Sequence, residues 1–280
     1  VTEKVMFPKG FDDYLVVSYI ILSLSALSTI ACQITKSVAS HGKVFNANSR
    51  SWLMVVPKRW FLHFYMIGMA TTISVIYLYG FSYPLGLLLL HILRRCYECL
   101  FVHVWGMNSK MYVTGYFVGI LHYLLLPWNF TTNSFFAKSL MLQNTGILLC
   151  LYSQYEQHMH HRILAKLRLQ HPESNYSLPS GRGFDYIGSP QYLAEIGIYF
   201  SFLCVFQTKG AATLLIWVVT NQSLNAIWTH KWYLSKPLEK YVNSKSSFSL
   251  KFIHYLSRRL LISKNLILLI FISLNICEIL

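Results

Sequence analysis

Apolar residues in this chain neither alternate nor fall into narrow stripes; they come in long runs broken by short polar segments. A bilayer core about 30 Å thick is crossed by roughly 20 apolar residues in a helix. Runs of that kind cover 14–34, 61–80, 84–105, 111–128, 138–157 and 210–230, with a shorter one at 192–207 and a last one at 260–280. The connection Gln207-Thr208-Lys209-Gly210 is so brief that the sixth and seventh runs must be antiparallel neighbours. The pattern predicts an all-α integral membrane protein, a seven-transmembrane helical bundle enclosing a cavity, with room for an extra C-terminal apolar helix.

Composition narrows the class. Apolar residues are 54% and charged residues 12%, whereas soluble domains carry about 25% charged residues. Mean hydropathy is +0.42. Collagen, disordered tails and disulfide-stapled modules are excluded by 14 Gly, 8 Pro and the dominance of apolar runs. The net charge of +14 arises from 24 Lys+Arg against 10 Asp+Glu. Nucleic-acid binding would account for that charge but not for the apolar excess. Segments 35–60, 158–190 and 231–259 hold most of the cations, and together with Lys110 they fall on one side of a seven-span chain. By the positive-inside rule that side is cytoplasmic and the N-terminus lumenal. The chain begins at Val1 without a signal-peptide pattern, so it reads as a fragment or processed chain and the first run as a span. Asn129-Phe130-Thr131 is a glycosylation sequon on the lumenal side, and Asn175-Tyr176-Ser177 is one on the cytoplasmic side.

The spans contain polar residues that a bilayer disfavours, and such residues mark sites. In the third run His91, Arg95 and Glu98 share a helix face, as an ion pair fixing helix packing or as a wall for an anionic ligand. The fifth run ends in Gln157, His161 and Arg168 on one face, beside His158 and His160. A di-iron centre would need several separated histidine boxes, and here there is one cluster. Cys96-Tyr97-Glu98-Cys99 lacks the two further ligands of a zinc site. No metal is expected, and the six cysteines read as buried apolar residues. Tyr192, Glu195 and Tyr199 share a face in the sixth run, and Asn221, Asn225 and Trp228 in the seventh, followed by His230 and Tyr233. The asparagines are equally helix glue. These faces suggest a common cavity open to the basic side. The Gly-rich stretch 179–186 lacks the strand–helix setting of a dinucleotide-binding turn.

Four segments in order resemble the steroid 5α-reductase superfamily over about residues 50–241. Arg94-Arg95-Cys96-Tyr97-Glu98-Cys99-Leu100-Phe101-Val102 resembles its "RR-x-x-E-x-L-(F/Y)-V" stretch, and the polar helix 157–168 its "L-x-x-L-R" ending. Leu178-Pro179 through Tyr192 and Glu195 is similar to "IP-x-G-x-x-F-x-Y-V-S-x-P-x-Y-x-x-E", and His230-Lys231-Trp232-Tyr233 to "H-x-(F/W)-Y". Val56-Pro57-Lys58-Arg59-Trp60-Phe61 through Tyr65 looks like the polyprenol (polyprenal) reductase branch, as does Asn221-Gln222. Steroid-reducing members carry a glutamine–glutamate pair where this chain has His63 and Phe64.

The resemblance implies NADPH held inside a seven-span bundle of the endoplasmic reticulum membrane. It implies reduction of the α-isoprene double bond of a long-chain isoprenoid in dolichol synthesis, which supports protein N-glycosylation. Position by position, Arg95, Glu98, Gln157, His161, Arg168, Asn221, His230 and Tyr233 would line the cofactor. Tyr192 and Glu195 would line the cofactor and reaction pocket, and His63 or His91 would polarise the substrate oxygen. The resemblance divides the chain into a span and loop (1–60), a reductase core (61–241) and an atypical tail (242–280). In place of the family's "Y-P-K-x-R-K-A-x-x-P-F" ending stands Tyr241-Val242-Asn243-Ser244-Lys245, then an apolar stretch with Lys264 and Glu278. That stretch reads as an eighth span, an interfacial helix or a non-native splice end. A steroid or enoyl-CoA reductase and an inactive relative are the alternatives.

Overall fold

The computed structural model describes residues 10–31, 54–106, 109–131, 139–170 and 178–234. They are mostly helical, with seven α-helices among the described residues: α1 (Phe11–Ala31), α2 (Phe61–Tyr79), α3 (Tyr83–Tyr97), α4 (Val113–Leu125), α5 (Leu140–Gln170), α6 (Pro190–Phe206) and α7 (Lys209–Leu234). Each overlaps one of the first seven apolar runs. The stretch Lys58–Tyr79 is long and apolar enough to cross a membrane by length and composition, and Pro190–Phe206 is apolar but shorter. The tail 235–280, its apolar run and the second sequon lie outside the described residues.

The helix ends follow local chemistry. Ser82 accepts from Leu85 N–H at 3.5 Å and Pro84 opens α3, where a missing N–H does no harm. α2 ends at Gly80, whose φ of +87° suits a residue without a side chain. α6 ends at Gln207 in the left-handed region, and Thr208 Oγ1 then caps α7 by accepting from Ala211 N–H at 3.1 Å.

Two elements depart from the hydrophobic pattern. The third run leaves α-geometry at Glu98 and widens into a π-turn over Glu98–Val102, closed by His103 N–H on Glu98 O at 2.7 Å. The fifth helix continues well past its apolar run, through His158, His161 and Arg168 to Gln170. Short strands β1 (Val55–Pro57) and β2 (Lys110–Tyr112) pair antiparallel, with Val56 opposite Met111, and tie two basic connections together.

α5 packs along α6, α6 along α7, and α7 along α1, while α2 holds α3 and α4. Tyr19, Leu88, Ile92, Ile198, Phe202 and Leu214 form the centre of the core. At the far end from the basic loops, a 3-10 turn over Pro127–Phe130 lies against the start of α7. A Cβ on Gly210 would sit 2.4 Å from Asn129 O, a backbone atom that cannot swing away. Gly210→Ala is expected to destabilise the fold by about 1–3 kcal/mol, as overpacking does, read as a lower melting point of the detergent-solubilised protein.

The asparagine of the first sequon is part of this turn. Asn129 is fully buried, its side-chain amide donates to Leu125 O at 2.8 Å, and Thr208 Oγ1 donates to Asn129 O at 2.9 Å. A glycan cannot be carried on an amide committed to the interior. Asn129→Gln is therefore expected to remove no glycosidase-sensitive mobility shift on a gel.

Candidate functional site

The antiparallel order of the helices brings the C-terminal end of α3, the middle of α5 and the start of α6 to the same end of the bundle, beside the basic connections. Glu98 is the centre of what gathers there. Its side chain has no exposed surface, yet four nitrogens converge on its two oxygens. Arg94 Nη1 and His158 Nδ1 (3.0 Å) meet Oε1, while Arg95 Nη1 and His161 Nδ1 (2.7 Å) meet Oε2. A carboxylate with no exposed surface survives only when paired and fully hydrogen-bonded. The π-turn, by widening the backbone at Glu98, accompanies an arrangement in which arginines three and four residues earlier both reach it.

From Arg94 a second branch leads inward. Its Nη2 donates to Gln157 Oε1, and Gln157 Nε2 donates to Glu195 on α6. Arginine only donates and carboxylate only accepts, so the orientation of the Gln157 amide follows from its neighbours. Arg94 Nη2 also lies 3.3 Å from His91 Nδ1. That nitrogen must accept, which puts the proton of a neutral imidazole on Nε2. His91 Nε2 is buried and has no hydrogen-bond partner among the described residues. The His91 ring lies nearly perpendicular to those of Tyr199 and Phe202, with centroids 6.2 and 6.0 Å away.

Arg95 extends the network towards α2. Its Nε and Nη2 donate to the Tyr65 hydroxyl at 3.1 and 2.6 Å, with the guanidinium 5.0 Å from the ring centre. His161 Nδ1 is also 2.8 Å from Arg95 Nη1. Protonated, that nitrogen donates to Glu98; unprotonated, it accepts from Arg95. Glu98, His103 and His161 lie close enough together to ligate a metal. The guanidinium of Arg95 already sits 2.8 Å from His161 Nδ1, and a cation there opposes a second one nearby.

Of the residues singled out in the sequence, His91, Arg95, Glu98, Gln157, His161 and Glu195 therefore belong to one hydrogen-bonded network. His63 stands apart, with Nδ1 3.0 Å from the Tyr116 hydroxyl and its ring against Trp60. Arg168 donates to Val104 O at 2.8 Å and pins the far part of α5 to the segment after the π-turn. Asn221, His230 and Tyr233 lie on α7; Asn225 donates to Asn221 O at 2.9 Å, a bond one turn back within α7 rather than across to a neighbouring helix. Tyr192 lies beside Thr229 of α7. Arg94, Tyr65, His103 and His158 join the network without having been singled out by their spacing in the sequence. The adjacent Arg94-Arg95 pair was the available signal, since a helix carries i+3 and i+4 partners on one face.

The Gly-rich segment is a 3-10 turn (Arg182–Asp185) folded onto α5. Gly183 has no room for a side chain beside Pro190 and His160, Phe184 is buried against the His160 ring, and Arg182 pairs with Glu156.

Known proteins resemble this chain over most of its length. The family described as 3-oxo-5-alpha-steroid 4-dehydrogenase matches residues 97–248, a stretch holding Glu98, Gln157, His161 and Glu195. A polyprenal reductase of Saccharomyces cerevisiae is 36% identical over 191 residues, covering 67% of this chain and 71% of the relative. One of Caenorhabditis elegans is 29% identical over 292 residues (84% and 94%), and one of Homo sapiens 30% identical over 236 (65% and 73%). The chain belongs to the steroid 5α-reductase superfamily, in the branch of the polyprenal reductases.

Proposed function

We propose that this chain is an NADPH-dependent reductase of the endoplasmic reticulum membrane that saturates the α-isoprene double bond of polyprenal in dolichol synthesis. The observation that carries the reading is a buried, mutually compensated guanidinium–carboxylate network at one end of an apolar bundle, in a chain akin to polyprenal reductases. All seven helices would cross the bilayer. Their outer faces support this: Val17, Ile21 and Leu24 on α1, Phe117 on α4, and Leu148 and Tyr152 on α5 are exposed, the reverse of what water favours.

The residues present fit a nicotinamide dinucleotide. Guanidinium and imidazole donors suit phosphate and ribose oxygens, and the Gln157–Glu195 pair suits a carboxamide. His91 Nε2 and His103 Nε2 are buried without a hydrogen-bond partner among the described residues, and buried polar atoms of that kind call for one. Arg95, Glu98, Gln157, His161, Arg168, Asn221, His230 and Tyr233 would hold the group, with Tyr192 and Glu195 lining the pocket. When bound, it supplies a hydride equivalent to the β-carbon of the conjugated aldehyde.

The chain's own part is electrostatic. Negative charge develops on the aldehyde oxygen as the double bond is reduced, and His91 Nε2–H would donate to it. Arg94 fixes the tautomer by donating to Nδ1. The Tyr65 oxygen accepts twice from Arg95 and keeps its own proton, which it would pass to the α-carbon. The apolar bundle keeps water from the reacting carbons.

The test is expression of this chain in cells lacking the endogenous enzyme, followed by incubation of their microsomes with NADPH and labelled polyprenal. A product with a saturated α-isoprene unit is expected. Faster turnover of a ketosteroid or a trans-2-enoyl-CoA would overturn the substrate assignment, and no turnover of any of the three would overturn the enzyme reading.

A further inference from the structure

α3 and α5 barely touch. α3 packs on α2 and α5 on α6, and the seam between them is bridged by side chains. Arg94 Nε reaches Gln154 Oε1 at 3.4 Å, and His158 reaches Glu98 at 3.0 Å. Between the bridges lies an open groove of about 320 Å³ lined by Leu90, Arg94, Leu151, Gln154, Tyr155 and His158. Its rim is apolar and its floor polar. The surface continuing from it along both helices is apolar and exposed, through Leu93 and Tyr97 on one side and Leu148 and Tyr152 on the other.

We infer that this seam is the lateral port through which the isoprenoid substrate reaches the buried network, its tail lying over Leu90, Leu151 and Tyr155 and its oxygen end passing Arg94 on the way to His91. The inference rests on the function proposed above and deepens it by assigning the tail a path.

Three observations carry it. First, a long isoprenoid chain must stay largely in the bilayer while its reactive end is reduced, so the site needs an opening between helices; this groove joins the apolar outer face to the network. Second, the floor matches an uncharged lipid with one acceptor oxygen. The hydrogen bonds of Arg94 engage four of the guanidinium's five N–H groups, leaving one on Nη1 for an acceptor. An anionic head would need more free donors than the single one that Arg94 offers to this groove. Third, the floor is continuous with the reaction site, since the guanidinium that lines the groove also donates to His91 Nδ1.

The test is photolabelling of the full-length chain in phosphatidylcholine vesicles. The probe is a polyprenal bearing a diazirine on its second isoprene unit, with turnover of unmodified polyprenal measured on the same preparation. Label is expected on Leu90, Leu151 or Tyr155, competed away by unmodified polyprenal. Leu151→Trp, which fills the groove, should reduce that labelling and raise KM for long-chain polyprenal about tenfold, with a smaller rise for a ten-carbon unsaturated aldehyde. Label confined to other helices, or no competed label at all, would overturn the port even if polyprenal is reduced. Competed label in the groove without any turnover would instead leave the port standing and remove the reductase reading.

Discussion

Glu98→Ala is expected to unfold or inactivate the protein more severely than any other single truncation in the site. The substitution removes the carboxylate that pairs directly with both Arg94 and Arg95, whose side chains are only 14% and 11% exposed. Breaking a buried pair by deleting one partner costs about 3–5 kcal/mol, because the surviving charge is left in a poor solvent for it. Two charges are stranded here, and His158 and His161 lose their acceptor as well. The melting point of the detergent-solubilised protein, followed by size-exclusion after heating, should fall steeply. Glu98→Gln keeps the shape and loses the charge, so it should fall less. Adding Arg95→Gln to Glu98→Gln should restore part of the loss, since neighbours in one network are not additive. An unchanged melting point in Glu98→Ala would mean that the cluster is not holding α3 to α5.

The second large effect belongs to His91. His91→Phe preserves volume and ring packing against Tyr199 and Phe202 while deleting the Nε2–H donor. Removing one donor to a developing oxyanion lowers kcat by about 10²–10³-fold. The loss should appear in kcat with KM nearly unchanged, because the bond strengthens only as charge develops. His91→Gln, which retains an N–H, should recover part of the rate. His63→Phe serves as the contrast: its imidazole is engaged with Tyr116 and Trp60, and its loss should be several-fold at most. Equal losses in His91→Phe and His63→Phe would remove the assignment of the polarising donor to His91.

The helices were legible because burial in a bundle imposes long apolar runs, and each of the seven runs before the tail became a helix. What the runs could not report was geometry that depends on partners in space. The π-turn at Glu98 has no hydrophobic signature. The continuation of α5 to Gln170 is written in polar residues whose shared helix face shows in their spacing, while the partners that hold them, Glu98 for His158 and His161 and Val104 O for Arg168, do not. Asn129 reads as a glycan acceptor because a sequon is three residues of local sequence; its burial comes from α7, nearly eighty residues away.

The site was legible in part, for the same reason. His91, Arg95 and Glu98 share a helix face, and Gln157 with His161 shares another, so their candidacy followed from spacing. That both faces meet at one carboxylate, that Arg94 rather than Arg95 leads to His91 and Gln157, and that Tyr65 closes the far side are tertiary facts. Choosing His91 over His63 required knowing which nitrogen is engaged and by what.

The proposed reaction reduces a conjugated double bond rather than the carbonyl. The purified full-length chain in phosphatidylcholine vesicles, given NADPH deuterated at the transferring position and unlabelled polyprenal, decides it by mass spectrometry of the product. One deuterium on the β-carbon of a saturated α-isoprene unit is the expected result. Deuterium on the former carbonyl carbon, with the double bond intact, would contradict the account.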